Sequence, residues 1–249
     1  MSLPISIADA PSSEARSWRG DVWRLAEGQH VNATRKLVDS FEEQAALEAE
    51  LEESKPRYPA ECAGLHYLLF TPFRYRTTPY RGSRFRAAGF THGVYYGSQE
   101  VETAVSEISH HRMRTFRDTP SVRPPDNAAL FTAFRVTAMS ARAIDLSAPP
   151  FLAHADLWTA PDDYTPCQAI ADSARRAGVE IVLSQSVRDP YRRRNVNVLT
   201  CTAFVTPEPD AFQTWEIQAS LTDAWAIREF PRLALEFDWA STSGEGRPA

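Results

Sequence analysis

Several features that mark common protein classes are missing from this sequence of 249 residues. No run of about 18 apolar residues occurs, and the N-terminus lacks a basic start followed by an apolar core. We therefore expect neither a membrane span nor an export signal. The sequence also contains no GxGxxG, no GxxxxGK followed by Ser or Thr, no HExxH and no GxSxG. These absences disfavour the common nucleotide-binding, metalloprotease and serine hydrolase classes.

Cysteine is scarce, and its distribution bears on metal binding and on the redox environment. The three cysteines, Cys62, Cys167 and Cys201, lie far apart and form no CxxC pair. This odd, scattered set predicts neither a disulfide framework nor a zinc site. The adjacent His110 and His111 point about 100° apart on a helix, so they cannot share one metal ion. We expect a cytoplasmic protein without a metal.

Composition and charge predict a soluble globular protein. The sequence is 43% hydrophobic and 24% charged, which is ordinary for that class. A net charge of -5 disfavours a nucleic-acid binder, because affinity for a duplex depends on Lys and Arg neutralising phosphates. We expect a flexible N-terminal arm at residues 1–20, one folded domain at residues 21–240 and a flexible tail at residues 241–249.

The chain combines several strand signals with several helix signals, which predicts an α+β fold. Strands are predicted at residues 21–25, 65–73, 93–97, 130–136, 179–184 and 195–205. Helices are predicted at residues 34–53, from an N-cap at Ser98 to about Arg112, and from Thr165 to Gly178. Within the strand at 93–97, Tyr95 and Tyr96 are predicted to point to opposite faces.

The helix after residue 97 carries a carboxylate beside its apolar face. Val101, Ala104, Val105 and Ile108 form an apolar stripe, and Glu107 lies on the shoulder of that stripe. This position is compatible with the edge of a pocket. A solvated helix residue has the same spacing and is the more common case, so spacing alone leaves both interpretations open.

Arginine is concentrated in two segments. The first holds five arginines within 13 residues: Arg74, Arg76, Arg81, Arg84 and Arg86. Guanidinium groups match phosphate oxygens with paired hydrogen bonds, although ion pairs with the acidic residues at 42–53 explain this cluster equally well. The second cluster lies at residues 188–194, next to Ser184 and Ser186. It suggests either a phosphate site or a turn without a ligand, in which Ser186 only caps the turn.

The order of these segments resembles the RES family of bacterial toxins, which is named for an Arg, a Glu and a Ser. The matching pieces are WR, GSRFRAAG, GVYYGSQEVETAVSEI and QSVRD, in that order. The resemblance assigns the family's residues to Arg24, Arg84, Tyr96, Glu107 and Ser186. The chain departs from the family pattern in its loop, which reads GSRFR where the family has a sequence like GGRWN.

The resemblance implies a fold similar to that of bacterial ADP-ribosyltransferase toxins, with NAD as the substrate. It implies that Glu107, Arg84 and Tyr96 are catalytic and that Arg24, Arg84, Tyr96 and Ser186 bind NAD. The expected reaction breaks the nicotinamide–ribose bond and passes ADP-ribose to a protein acceptor, to phosphate or to water. The expected partner is a helix-turn-helix antitoxin that covers the active site. The alternative from another class is a non-catalytic protein that binds an anion or a partner.

Overall fold

The computed structural model describes residues 10–28, 38–75, 78, 82–89 and 92–243. The strands are β1 (Arg16–Glu27), β2 (Tyr95–Ser98), β3 (Ala129–Asp145), β4 (Ile181–Gln185), β5 (Arg194–Val198), β6 (Ala211–Ala219), β7 (Asp223–Arg228) and β8 (Leu233–Asp238). The helices are α1 (Phe41–Ser54), α2 (Tyr67–Arg74), α3 (Val101–Asp118), α4 (Ala155–Thr159), α5 (Thr165–Arg176) and α6 (Trp239–Ser243). No helix in the described part of the chain is long and apolar enough to cross a membrane.

One mixed sheet of eight strands organises the fold, and part of it closes on itself. The strand order is β1-β2-β5-β4-β3-β6-β7-β8, and β1 pairs with β3 as well as with β2. The first five strands of that order therefore form a closed barrel, and β3 continues beyond it to pair with β6. Only β3 and β4 run parallel among these strand pairs. This mixed sheet with flanking helices confirms the predicted α+β class.

Alternation along the strands separates the inside of the barrel from its outer face. Tyr95, Val198 and Ile181 are neighbours across three strands, and all three are fully buried in one core cluster with Phe134. Tyr96 packs instead against the cluster formed by α5 and its surroundings. The two tyrosines thus point to opposite faces, as the sequence predicts.

Helix α3 covers the part of the sheet that extends beyond the barrel. Its buried Val105 and Met113 share a core cluster with Trp215 and Ile217 of β6. An 18-residue helix with this apolar stripe turns a second, more polar face toward the chain between β4 and β5. Glu107 lies at the boundary of the two faces, as its sequence position predicts.

The predicted strand at residues 65–73 is wrong, because this segment forms α2. The Nδ1 atom of His66 accepts a hydrogen bond from the backbone N–H of Leu68 at 3.3 Å and caps the helix. Leu69 and Phe73, four residues apart, form its buried face. The run of aromatic and apolar residues looked like a buried strand because a short apolar helix has the same composition.

Several other boundaries also differ from prediction. Strand β1 begins at Arg16 rather than at residue 21, and α6 includes residues 241–243, where a flexible tail is predicted. Helix α1 begins after Ser40, whose side chain accepts a hydrogen bond from the backbone of Glu43. The predicted residues 34–37 of that helix lie outside the described residues. Helix α3 extends past Arg112, and Glu100 rather than Ser98 occupies its N-cap position.

A disulfide joins Cys62 to Cys201, which contradicts the expectation of unpaired cysteines. The two Cα atoms lie 5.3 Å apart although 139 positions separate the residues in sequence. Each cysteine belongs to a short 3-10 helix, at Ala60–Cys62 and Cys201–Ala203, and both are buried in the cluster that fills the barrel. Long-range packing of this kind leaves no trace in cysteine spacing. Cys167 is buried and free.

Candidate active site

Two hydrogen bonds fix the carboxylate of Glu107 through one of its oxygens. Its Oε1 accepts from the hydroxyl of Ser186 and from the side-chain amide of Asn195, each at 2.6 Å. Its Oε2 accepts no hydrogen bond from the residues that the structure describes. The side chain is half-buried. Glu107 therefore presents one anchored and one available oxygen.

Ser186 is almost completely buried beside Glu107, at 1% exposure. Its Oγ donates to Glu107 and accepts from the backbone N–H groups of Arg188 and Asp189 at 3.2 and 3.0 Å. The serine therefore caps the turn after β4 and also contacts the carboxylate. The turn cap is one of the interpretations that the sequence allows, and the contact with Glu107 adds to it.

The loop at residues 186–189 is attached to the polar face of α3. The hydroxyl of Thr103 donates to Asp189 Oδ2 at 2.6 Å, and that of Ser106 donates to the carbonyl of Arg188 at 2.7 Å. Burial disfavours the charged form of Asp189, yet hydrogen bonds from Arg193 and Thr103 hold its pKa below the ordinary value. The attachment of this loop keeps Ser186 next to Glu107.

Asn195 comes from β5 and is a site residue that the sequence analysis missed. Its Oδ1 accepts a hydrogen bond from Ser98 Oγ at 2.7 Å, while its Nδ2 donates to Glu107. Ser98 and Asn195 are direct cross-strand partners in the pairing of β2 with β5. The alternating sequence of β5 was a usable signal, because Asn195 and Asn197 are two positions apart and therefore give the strand one polar face.

Arg84 lies in a loop that borders α3, the helix that carries Glu107. Its Nη1 donates to the carbonyls of Trp158 and Ala160 at 3.0 and 2.9 Å, and its guanidinium lies 4.7 Å from the ring centre of Tyr164. Its Nε and Nη2 donate to none of the described residues. The Tyr164 hydroxyl also accepts from Arg114 of α3 at 3.1 Å, which brings this group next to the helix.

Tyr96 fixes the loop that carries Arg84. Its hydroxyl is 2.7 Å from Ser83 Oγ and accepts a hydrogen bond from the backbone of Phe85 at 3.1 Å. Burial raises the pKa of Tyr96, although the hydrogen bond with Ser83 acts in the opposite direction. The residues on either side of Arg84 are thus bound to the outer face of β2.

Arg24 contacts Tyr96 but points to the other side of the strand. Its Nη1 donates to the carbonyl of Tyr96 at 2.6 Å, and its guanidinium lies over the ring of Tyr95 at 5.1 Å. Burial lowers the pKa of Arg24. Because Tyr95 faces the barrel interior, the structure brings Glu107 and Ser186 together but does not place the Arg24 guanidinium in that group.

The remaining loop arginines with described side chains make internal contacts. Arg74 forms an ion pair with Glu52 of α1 at 2.6 Å and donates to the carbonyl of Pro56. Arg86 donates to the carbonyl of Tyr75. For Arg74, the ion-pair interpretation of the cluster is confirmed. Arg76 and Arg81 lie outside the described residues.

The arginines at residues 188–194 also bind other parts of the chain. Arg188 is 4% exposed and donates to the carbonyls of Pro161, Thr242 and Ser243. Arg193 pairs with Asp189, and Arg194 pairs with Asp145 of β3 at 2.9 Å. These contacts explain three of the four arginines by internal structure, without a ligand.

His110 lies one turn beyond Glu107 and is buried against the C-terminal helix. Its Nδ1 is 3.1 Å from the hydroxyl of Thr242, and its ring stacks on Trp239 with the centroids 4.9 Å apart. Burial is the largest cause that lowers its pKa, to about 3, and the positive charges of Arg188 and other nearby arginines act in the same direction. Among the described residues, no group of three or more His, Cys, Asp or Glu is placed to hold a metal ion.

The low pKa of His110 predicts a loss of stability in acid. The folded protein keeps His110 neutral down to a pH of about 3, whereas the unfolded chain takes up a proton below about 6.5. The contribution of neutral His110 to the free energy of unfolding is therefore complete above pH 6.5. It decreases by about 1.4 kcal/mol per pH unit as the pH falls from 6.5 toward 3. Urea unfolding of the wild type and of His110→Gln between pH 7 and pH 5 measures this difference. Equal pH dependence in both proteins would contradict the assignment.

These features define a class: an α+β domain in which a partly closed sheet and one long helix hold a carboxylate beside polar strand residues. The family model for the RES domain matches residues 58–226, and the chain belongs to this family. Among solved structures, the chain is similar to one from the crystal structure of the M. tuberculosis MbcT–MbcA toxin–antitoxin complex, with a TM-score of 0.51 and 10% identity. The match covers 87% of this chain and 94% of that one. At this identity the similarity concerns the fold alone. No curated protein sequence matches the chain.

Proposed function

We propose that this RES-domain protein is the toxin of a toxin–antitoxin pair and cleaves the bond between nicotinamide and ribose in NAD. The observation that carries the proposal is the state of Glu107, whose Oε1 is held by Ser186 and Asn195 while Oε2 is available. Membership of the RES family and the similarity in fold to a chain of a toxin–antitoxin complex support the same assignment.

The chemistry requires a carboxylate of this kind. Loss of nicotinamide leaves positive charge on the ribose, as in the transition state of glycoside hydrolysis. A carboxylate that is already oriented stabilises this charge most strongly in the transition state, because it need not reorganise. In the proposed complex, Oε2 of Glu107 accepts hydrogen bonds from the ribose hydroxyls, and nicotinamide leaves as a neutral molecule.

Arg84 is proposed to bind the pyrophosphate of NAD. One of its nitrogens is bound to two carbonyls and its guanidinium rests on Tyr164, so little side-chain freedom is lost on binding. Its other nitrogens supply donors for phosphate oxygens. Tyr96 then orients the nicotinamide end and holds this loop. Arg24 supports the main chain of Tyr96 and is a weaker candidate for direct contact.

Replacing Arg84 with alanine is expected to weaken NAD binding more than it slows the chemical step. Loss of a charge-assisted hydrogen bond costs about 1.5–3 kcal/mol, which corresponds to a Kd roughly 10- to 100-fold higher. Isothermal titration with NAD measures the affinity, and Arg123→Ala, which removes an exposed arginine beyond α3, is the control. An unchanged Kd in Arg84→Ala would assign the pyrophosphate to another arginine.

Ser186 is proposed to act on the substrate through Glu107. The serine is 1% exposed and its hydroxyl proton is already donated to the carboxylate. A direct bond to NAD, which the family resemblance implies, would require this proton to change partners. The assignment of Ser186 as a residue that holds Glu107 needs no such rearrangement.

Two further parts of the proposed function are the acceptor of ADP-ribose and the antitoxin partner. A protein acceptor needs an extended docking face, and the exposed acidic helix α1 is a candidate for it. Phosphate and water are the smaller acceptors for the same ribosyl centre. An antitoxin, proposed to be a helix-turn-helix protein, would inhibit the reaction by covering Glu107.

One experiment tests the function and identifies the acceptor. The protein is incubated with NAD, with and without phosphate, and with a cell lysate. Mass spectrometry then measures nicotinamide, ADP-ribose, its phosphate ester and ADP-ribosylated proteins. Release of nicotinamide supports the proposal, and the accompanying product names the acceptor. If NAD remains intact under all conditions, the alternative of a non-catalytic binding protein is supported instead.

A further inference from the structure

We infer that Asn195 is the positioning residue of the Glu107 carboxylate and that Ser98 holds the oxygen of its amide. The inference rests on the proposed function, because it says how the available oxygen of Glu107 is kept toward the substrate. Two hydrogen bonds support it: Ser98 donates to Asn195 at 2.7 Å, and Asn195 donates to Glu107 at 2.6 Å.

Two donors from different elements converge on one carboxylate oxygen. Ser186 reaches Oε1 from the turn after β4, and Asn195 reaches the same atom from β5, both at 2.6 Å. A hydrogen bond from a single donor leaves a carboxylate free to rotate about that bond. Two donors in different directions restrict the rotation and define where Oε2 lies. Both bonds end on a charged acceptor, which makes them stronger than neutral hydrogen bonds.

Ser98 and Glu107 hold the two ends of the Asn195 amide. An asparagine side chain has an oxygen and a nitrogen of similar size, and a flipped amide would turn its oxygen toward Glu107. The carboxylate only accepts hydrogen bonds, so the nitrogen faces Glu107, and the Ser98 hydroxyl donates to Oδ1 on the other side. Ser98 is 2% exposed and lies directly opposite Asn195 in the sheet, where side chains of neighbouring strands touch.

The sheet gives this arrangement a rigid base. Strand β5 lies between β2 and β4, and Asn195 pairs with Ser98 on one side and with Ser184 on the other. Backbone hydrogen bonds on both sides hold the residue more precisely than a loop would. The amide therefore keeps Glu107 in one orientation before substrate binds, which is the condition for electrostatic preorganisation.

Replacing Asn195 with alanine is expected to lower kcat for NAD cleavage about 10- to 100-fold, because misplacement of a reacting group has effects of that size. The KM for NAD is expected to change by less than about threefold. Asn197→Ala is the matched control. Asn197 lies two positions along the same strand and donates to Val182 and Ser184 instead of Glu107. It should change kcat by less than about threefold.

A double-mutant cycle separates positioning from general damage to the fold. If Asn195 acts through the carboxylate, Asn195→Ala should reduce kcat by less than about twofold when Glu107 is already glutamine. Ser98→Ala, a milder variant, should give a smaller loss of kcat than Asn195→Ala. Equal losses from Asn195→Ala in both backgrounds, or an equal loss from Asn197→Ala, would overturn the inference.

A spectroscopic measurement tests the contact without any turnover. With asparagine labelled by 15N, the side-chain amide of Asn195 is assigned by its absence in Asn195→Ala. Its proton resonance is expected to move in Glu107→Ala and in Ser98→Ala, while that of Asn197 stays in place. An unchanged Asn195 resonance would refute the inference. If the resonance moves but NAD is not consumed, the proposed reaction fails and the positioning contact stands.

Discussion

A Glu107→Gln variant should retain the fold and NAD binding but lose NAD cleavage by about 100-fold or more. The amide oxygen of glutamine can still accept the hydrogen bonds from Ser186 and Asn195, so the side chain stays in place. What changes is the second atom, where a neutral N–H group replaces a negatively charged oxygen. The variant therefore removes the charge that is proposed to stabilise the ribosyl cation and little else. Released nicotinamide, quantified by chromatography, gives the rate.

The matched control is Glu100→Gln, which neutralises an exposed carboxylate at the start of the same helix. It should cleave NAD at nearly the wild-type rate and bind NAD equally well. Thermal unfolding of both variants shows whether the fold is intact. Wild-type NAD consumption by Glu107→Gln would contradict the proposed role of the carboxylate, whatever the acceptor.

Reduction of the Cys62–Cys201 disulfide should destabilise the protein by about 4 to 5 kcal/mol, because the bond closes a loop spanning 139 positions. In this size range each kcal/mol corresponds to roughly 2–4 °C, so the expected decrease in Tm is about 10 °C or more. Both cysteines are buried in the barrel core, and the cross-link ties the 3-10 helix before α2 to the chain after β5. Intact mass under non-reducing conditions establishes the disulfide, and calorimetry with and without dithiothreitol measures its effect.

The control for reduction is Cys201→Ala, in which the disulfide cannot form. Its Tm should be the same with and without dithiothreitol and close to that of the reduced wild type. Cys167→Ala should keep the full response to reductant, since Cys167 is free. A wild-type Tm that does not respond to reduction would show that the cross-link adds no stability.

Much of the fold was predictable because many of its elements show the expected periodicity. The alternating residues of β3 and β5 and the apolar stripe of α3 have spacings that few other structures share. The prediction for the segment that forms α2 was wrong because the helix is short and apolar on most sides. Its apolar composition therefore hid the helical period. The closure of β1 onto β3 and the pairing of Cys62 with Cys201 depend on contacts between distant parts of the chain, which local patterns do not encode.

The candidate site was partly accessible from sequence. The order of motifs singled out Glu107 and Ser186, and the structure places them in contact. Asn195 was missed because a polar strand face does not show which residue it meets, and only the register of β5 against β2 brings it to the carboxylate. Arg188, grouped with possible phosphate ligands, holds internal carbonyls because the turn after Ser186 carries it into the core.

The closed barrel also restricts when the site can exist during synthesis of the chain. Glu107 leaves the ribosome well before its two donors, Ser186 and Asn195, which are encoded 79 and 88 positions later. β1, made first, has to wait for β3 before most of its backbone can pair. A nascent chain that ends before residue 186 therefore carries a carboxylate without its anchors. The geometry of the candidate site is completed only when most of the polypeptide has been translated.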